Sequence, residues 1–503
     1  MINSPSINLI NNINNAENVI HMKISVGLLA FFALTISIQA QKFESSVFLD
    51  SYTKNEISLI VGISVNYAVD LYKVRYYTAD IDGNDHIASG LLCVPQSNSL
   101  IFPLSCYQHG TVGDRTEVPS NLRGGFVLPM VFASDGYVVC APDFLGLGDS
   151  PGIHPYVHAK TEASAGLDML LAVRELDEQT ADFDLNDQLF ISGYSQGGHA
   201  AMALHREIET NNSDVFTVTA SAPMSGPYSI SDKMIDFTLG EEAYSTVAYL
   251  AWVMIAYKAV YPEILKDFEL EDIFKEEFMP DILDFKNEKI TLWELNDLIT
   301  EILLTNVGIV RPKEMLKDGI EDAIKNDPNS PLYRVLADND TYDWSPIAPT
   351  RIYYCVGDDQ ITFENAILAD SVMNANGAVD LEAVRNDNFS LLTHSGCVLP
   401  ASYSGILFFR NYRNILSSSE ELAFDPNIKI NNNNEQLIIH IPQENYRNNN
   451  RMEIIGMTGQ VYYAGNIETG FSQHSIASLP SGMFLIRLVN QNKLLKSDRI
   501  VKY

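Results

Sequence analysis

DQLFISGYSQGGH, residues 187–199, is the stretch on which the fold turns. LFIS is an apolar run of the kind found in buried strands. From Gln196 onward, QGGHAAMALHREIET carries apolar residues at helical spacing. Ser195 lies between the two, inside GYSQG, which matches G-x-S-x-G. A few small residues around one serine are weak evidence, but a strand before and a helix after form the setting this pattern needs. The turn is so sharp that the serine adopts a strained backbone and its neighbours two residues away must be small. Gly193 and Gly197 meet that demand. The helix beginning near Gln196 aims its N-terminus at the serine, where it favours negative charge.

A serine needs a base to become a nucleophile, and the base needs an orienting carboxylate. In a strand–turn–helix serine site these partners follow in the order Ser, acid, His. RIYYCVGDDQITFENA places Asp358 and Asp359 just past a strand. SLLTHSGCVLP holds His394, the one histidine between His205 and His440. The expected triad is therefore Ser195, His394 and Asp359, with Asp358 the alternative acid. Two backbone N–H groups must meet the developing oxyanion. The residue after the serine, Gln196, supplies one. Thr111, after the strand end in PLSCYQHGTVGD, is the candidate for the other. This chemistry calls for no cofactor and no metal.

Outward from this stretch, strand and helix signals alternate between about Lys42 and Pro227. KVRYYTADIDGNDHIASGLLCVP reads as two strands joined by a turn at Asp82-Gly83. FPLSCYQHG, GYVVCAPDF and FTVTASAPMSG read as buried strands, and ASAGLDMLLAVRELDEQ as a helix. The alternation predicts an α/β fold with a mainly parallel sheet. From about 231 to 343 the pattern turns helical, beginning with EEAYSTVAYLAWVMIAYKAVY, before TRIYYCVGDD resumes the strands. A helical block between two strands of a sheet is the arrangement of a cap. After SSSEELAFDP (about 417–427) the chain is Asn-rich with short alternating strands, which predicts a small all-β domain over 428–503.

The chain has 503 residues, 46% hydrophobic and 19% charged, enough for two or three globular domains. A net charge of -31 argues against nucleic acid as a partner. MKISVGLLAFFALTISIQA, residues 22–40, has a basic start, a short apolar core and a small residue, Ala40, at its end. It reads as a secretory signal peptide, with Met22 the expected start of synthesis. Of five cysteines, Cys93, Cys106, Cys140 and Cys355 lie in apolar strand-like runs, and none has a zinc spacing. One disulfide is possible, and an odd count leaves at least one thiol unpaired within the chain. His154 and His158 are four apart, but Pro151, Gly152 and Pro155 prevent the helix that would make this a metal site. His199 reads as a packing residue that faces away from Ser195, Asp143 as a structural loop residue, and the aromatic stretch 244–261 as core.

GYSQGG, YQHGT and APDFLGLGDS together resemble α/β-hydrolases, and within them the secretory lipase group of Candida lipase A-like enzymes. The resemblance covers about 350 residues. It implies an α/β-hydrolase fold with a helical cap where 231–343 lies. Asp359-Gln360-Ile361-Thr362-Phe363 departs from the family by lacking a proline after the acid. LPSGMFLIRLVNQNKLLKSDRIVKY at the end resembles the sorting domain of the type IX secretion system of Bacteroidetes. That likeness implies secretion machinery as a partner and passage to the cell surface or medium. The expectation is an exported serine esterase or lipase acting on a small-molecule or lipid ester. The competing readings are a serine peptidase or polysaccharide-ester esterase on the same fold, and a non-catalytic surface-binding protein. Oligomeric state is not legible.

Overall fold

The computed structural model describes residues 41–502 apart from 98–99, 181–182, 389–390, 418–427, 433–434, 443–449, 457–460 and 491–492. The expected signal peptide and nearly all of the expected linker lie outside the described residues. Ten strands make the main sheet: β1 (Phe43–Tyr52), β2 (Val69–Ala79), β3 (Asp85–Pro95), β4 (Leu100–Gln108), β5 (Val138–Pro142), β6 (Asp184–Tyr194), β7 (Val218–Met224), β8 (Thr350–Tyr354), β9 (Leu381–Arg385) and β10 (Leu416–Ser417). Their order is β1-β2-β3-β5-β4-β6-β7-β8-β9, with β10 paired to β4. From β5 to β9 every neighbour is parallel, and β1, β2 and β3 add an antiparallel edge. The turn expected at Asp82-Gly83 joins β2 to β3, and Asp80 Oδ1 accepts the backbone N–H groups of Asp82 and Asn84 there.

Both faces of the central strands are covered, which is why β4, β5 and most of β3 and β7 are buried along their length, while the edge strands β1 and β2 carry polar and charged residues. Successive residues feed opposite cores. Leu91 and Cys93 point into one, with Phe132, Phe190 and Phe409, while Leu92 and Val94 point into the other, with Met169, Leu170 and Leu204. The first core packs the helices Val127–Gly136 and His394–Arg410; the second packs Ala159–Gln179 and Gln196–Asn211.

Between β7 and β8 the chain is helical, including Ala248–Val260, Met279–Lys286, Leu292–Asn306 and Pro331–Ala337. The helix expected to begin at Glu241 starts only at Ala248. This insert has its own core, built around Trp252, Tyr257, Phe274, Phe278, Leu295 and Ile299. Its two ends are tied together. Asp340 accepts the backbone N–H groups of Ile230 (2.6 Å) and Ser231 (3.1 Å), and Thr341 N–H donates to the Tyr228 carbonyl (2.9 Å). Past 428 the strands form a three-stranded and a four-stranded antiparallel sheet that share one core, including Ile439, Met452 and Ile486. No described helix is long and apolar enough to cross a membrane.

The first turn of the helix Gln196–Asn211 rests directly on strand carbonyls. A Cβ on Gly197 would lie 2.0 Å from the Gln108 carbonyl oxygen, and one on Gly193 would lie 2.1 Å from the Gly197 oxygen. Gly405, inside another buried helix, has ordinary space: a Cβ there meets Ala222 Cβ at 3.5 Å. Gly197→Ala should therefore cost roughly 3 kcal/mol or more through overpacking, whereas Gly405→Ala should be neutral or mildly stabilising. Urea unfolding of the two variants checks this. Equal stabilities would show that the helix is free to shift off the sheet.

Candidate active site

Ser195 ends β6 and precedes the helix Gln196–Asn211 with φ 62° and ψ -125°, a left-handed backbone on a residue that carries a Cβ. Such a conformation costs on the order of 1–3 kcal/mol and persists only where surrounding contacts impose it. Here Ser195 N–H donates to the Met224 carbonyl (3.0 Å), and Ser195 O accepts from Gly198 and His199 N–H (2.8 and 3.2 Å). The residue is fixed from both sides at the C-terminal edge of the sheet, 6% exposed.

His394 opens the helix His394–Arg410, whose N-cap Thr393 accepts the Gly396 N–H. Two contacts bind it to the turn at Ser195. The Tyr194 hydroxyl donates to the His394 carbonyl (2.6 Å), and the two rings lie 5.0 Å apart. His394 Nδ1 faces both oxygens of Asp358, at 2.9 and 2.8 Å. Donation of Nδ1–H to that carboxylate leaves Nε2 with its lone pair, the tautomer a general base needs. Asp358 Oδ1 also accepts the backbone N–H groups of Gln360 and Ile361 (3.0 and 2.9 Å), so the carboxylate is held as well as buried.

This corrects the acid expected from the sequence. Asp359 is exposed and does not meet the ring; its Oδ1 accepts the backbone N–H of His394 (2.9 Å). Adjacent residues leaving a strand point in opposite directions. Only the register beyond β8 decides which aspartate turns inward, and sequence spacing carries no register. Two supports escaped the sequence reading. Cys355 and Cys397 form a disulfide, joining the segment three residues before Asp358 to the helix turn three residues after His394. Asp387, bound by Arg385 Nε at 2.7 Å, accepts the Gly357 N–H at 3.0 Å and steadies the loop that carries Asp358. Five cysteines allowed one bridge without showing which pair forms it. Cys93, Cys106 and Cys140 are buried free thiols.

The two proposed oxyanion donors come from opposite sides. Gln196 is the first helical residue, and no hydrogen bond to its backbone N–H is seen among the described residues. The same is true of Thr111 N–H. Gly110 abuts the serine closely enough that a Cβ on it would lie 3.5 Å from Ser195 Cβ, which brings Thr111 to the same edge. The Thr111 hydroxyl pairs with the Tyr156 hydroxyl (2.9 Å). His109 packs at a tilt against Phe144 (4.5 Å between centroids), and its Nε2 faces the Asp143 carbonyl. Asp143 itself is fully buried, accepting from Ser89 Oγ (2.6 Å) and Ser120 N–H (3.0 Å), as befits a loop brace.

Two cavities are lined by residues bonded to this edge: Tyr156, partner of Thr111, in one and His154, partner of Gln196, in the other. One, apolar and of about 70 Å³, is lined by Tyr156, Met234, Tyr244, Tyr249, Leu336 and Ile361 among others. The other, of about 420 Å³, has mixed walls, with Arg115, Thr116, Lys289 and Glu294 beside Ile153, Trp252 and Phe285. Tyr156 and Trp252, stacked at 4.2 Å and 4°, stand between them. The aromatic stretch at 244–261 therefore lines cavities as well as packing a core. His154 and His158 do not act together: their Nδ1 atoms face the Leu145 carbonyl and Thr161 Oγ1 respectively. Among the described residues no group of three or more His, Cys, Asp or Glu is placed to hold a metal.

No protein-family model matches the sequence, and no curated protein matches it. Solved structures do. The rice cell wall degrading esterase LipA from Xanthomonas oryzae is 26% identical, with 74% of this chain and 96% of that one covered at a TM-score of 0.60. A putative hydrolase from Legionella pneumophila is 24% identical over 74% and 98% of the two chains, at 0.62. Candida antarctica lipase A is 13% identical over 71% and 78%, at 0.51. The sheet order, the turn at Ser195 and these likenesses make this an α/β-hydrolase fold, and its structural neighbours include esterases and lipases.

The geometry separates the two aspartates by experiment. Asp358→Asn should slow fluorophosphonate labelling of Ser195 by roughly 10³-fold or more, because the amide no longer orients the imidazole. Asp359→Asn should slow it less than about tenfold, because only a backbone contact changes. Equal losses would return the acid to an open question. Removing the bridge with Cys355→Ser and Cys397→Ser releases a loop spanning 42 residues of sequence. By loop entropy it should lower stability by about 4 kcal/mol in chemical unfolding.

Proposed function

We propose that this chain hydrolyses carboxylic esters through a covalent acyl-enzyme. The observation that carries the proposal is the pairing of Ser195's strained turn with a His394 ring whose Nδ1 is held by the buried Asp358, the two segments being joined by the Tyr194 hydroxyl on the His394 carbonyl. Ser195 Oγ attacks the ester carbonyl while His394 Nε2 takes its proton. Asp358 holds the tautomer and stabilises the imidazolium. The N–H groups of Gln196 and Thr111 receive the oxyanion. His394 then protonates the departing alcohol, and water, deprotonated by the same ring, releases the acid. No step calls for a cofactor.

The apolar cavity is the natural place for the acyl group, since the Tyr244 and Tyr249 hydroxyls bind Gln360 beside the Asp358 loop (3.0 and 3.1 Å). At about 70 Å³ the apolar cavity is much the smaller of the two, which favours short acyl chains over long ones. The larger cavity, of mixed lining, then faces the alcohol. Its charged walls favour a second reading, an esterase for polysaccharide-linked esters, and the likeness to a cell wall degrading esterase supports it.

We further propose that the catalytic part comprises 42–230 and 344–416, with 231–343 as its cap, 417–427 as a linker and 428–503 as a sorting domain. On this reading the signal peptide at 22–40 and the C-terminal domain bring the enzyme to the cell surface or medium. The sequence features at 22–40 and the resemblance at the C-terminus support it.

The test is hydrolysis of p-nitrophenyl esters of increasing acyl length, beside acetylated polysaccharide. Turnover should be fastest for short acyl chains and fall for long ones. Ser195→Ala should lower kcat by roughly 10⁴-fold or more. Activity rising steadily to long chains would reject the short acyl pocket. Equal activity in Ser195→Ala would reject the serine mechanism itself.

A further inference from the structure

The helix Ala159–Gln179 turns a buried carboxylate toward the nucleophile's own helix, and the chemistry above does not use it. Glu162 is 1% exposed. Its Oε1 accepts from Gln196 Nε2 (2.9 Å) and its Oε2 faces His199 Nδ1 (2.7 Å). His199 is fully buried, and its Nε2 faces the backbone carbonyl of Asn339 (2.8 Å). A carbonyl only accepts, so Nε2 carries a hydrogen, and a second proton lies between Nδ1 and the carboxylate. Gln196 Nε2 gives its other hydrogen to His154 Nε2 (3.0 Å). That nitrogen has a lone pair to offer, because His154 donates Nδ1–H to the Leu145 carbonyl (2.8 Å) and burial drives its pKa down to about 3.

These contacts fix the orientation of one amide. Reversed, the Gln196 amide would set its oxygen against the Glu162 carboxylate and the His154 lone pair, two repulsions in a buried site. Gln196 is also the first residue of the helix, and its backbone N–H is one of the two proposed oxyanion donors. The first residues of a helix have no intrahelical bond to their own N–H and are the ones that fray. A side chain anchored at its far end removes that freedom.

We propose that Glu162, with His199 and His154, forms a positioning group that locks Gln196 so that its backbone N–H stays aimed at the oxyanion. The proposal rests on the ester-hydrolase reading of Ser195. It differs from plain structural support in one respect: the effect of Glu162 on catalysis must pass through the Gln196 side chain.

Steady-state hydrolysis of a short p-nitrophenyl ester by four full-length proteins tests this: the parent, Glu162→Gln, Gln196→Ala and the double variant. Glu162→Gln keeps the shape but loses one acceptor. It should lower kcat about 10- to 100-fold with KM within about twofold. Gln196→Ala should lower kcat to a similar degree while leaving the Glu162–His199 pair in place. The double variant should be no slower than the slower single one. Multiplied losses in the double variant, or full kcat in Gln196→Ala, would overturn the proposal. If Glu162→Gln does not fold, Gln196→Ala with an unchanged Tm still decides it. An inactive parent, or one matched by Ser195→Ala, would sink the reading of Ser195 and this inference with it; an active parent with uncoupled variants would sink this inference alone.

Discussion

A helix can start directly on the edge of a parallel sheet only if nothing larger than hydrogen fills the gap, and the glycines around Ser195 leave that gap. Gly193 and Gly197 meet the carbonyls of the elbow, the turn at Ser195 with the elbow helix Gln196–Asn211, and of β4 at distances where any side chain would collide, and a Cβ on Gly198 would lie 2.3 Å from the Met224 oxygen. This close seating forces Ser195 into its left-handed backbone. It also points the unpaired N–H groups of the helix start toward the serine, so strain and electrostatics have one geometric cause. The remaining groups of the site are placed relative to this edge.

His394 and Asp358 reach the edge on separate elements, and each is held by contacts that bypass the elbow helix. A disulfide, the Asp387 carboxylate and two backbone donors to Asp358 fix the acid loop, while Tyr194 and Asp359 fix the start of the histidine helix. The buried carboxylate thus has its hydrogen bonds satisfied by geometry already present, which limits the desolvation cost of keeping a charge there. The two aspartates divide the work: Asp358 faces the ring and Asp359 the backbone of the same residue.

Much of this was legible in the sequence. An apolar run ending in GYSQGG announced a strand, a sharp turn and a helix, and these are β6, Ser195 and Gln196–Asn211. The strand–helix alternation announced the parallel sheet, because strands buried on both faces show in composition alone. The choice between Asp358 and Asp359 was not legible, since it depends on how the chain leaves β8. Nor was the pairing of Cys355 with Cys397, which depends on β8 lying beside the last helix of the sheet domain. The cavity-lining role of 244–261 was hidden for a related reason: an aromatic residue that walls a cavity and one that fills a core look the same until the opposite wall is known.

The helical insert has a closer part in the site than a cover would. Its two ends are tied to one another through Asp340, and Arg206 on the elbow helix donates to the Asp340 carbonyl (3.0 Å). Tyr156 packs against Trp252 of the insert on one side and bonds the Thr111 hydroxyl on the other. The wall dividing the smaller from the larger cavity is thus continuous with the loop that carries a proposed oxyanion donor. Any motion of the insert large enough to merge the cavities must break the Tyr156–Trp252 stack or pull on Thr111. On the proposed chemistry, sorting of the two halves of an ester and stabilisation of its oxyanion would be mechanically linked, and the linkage would favour a closed, preformed site over one assembled by a swinging lid.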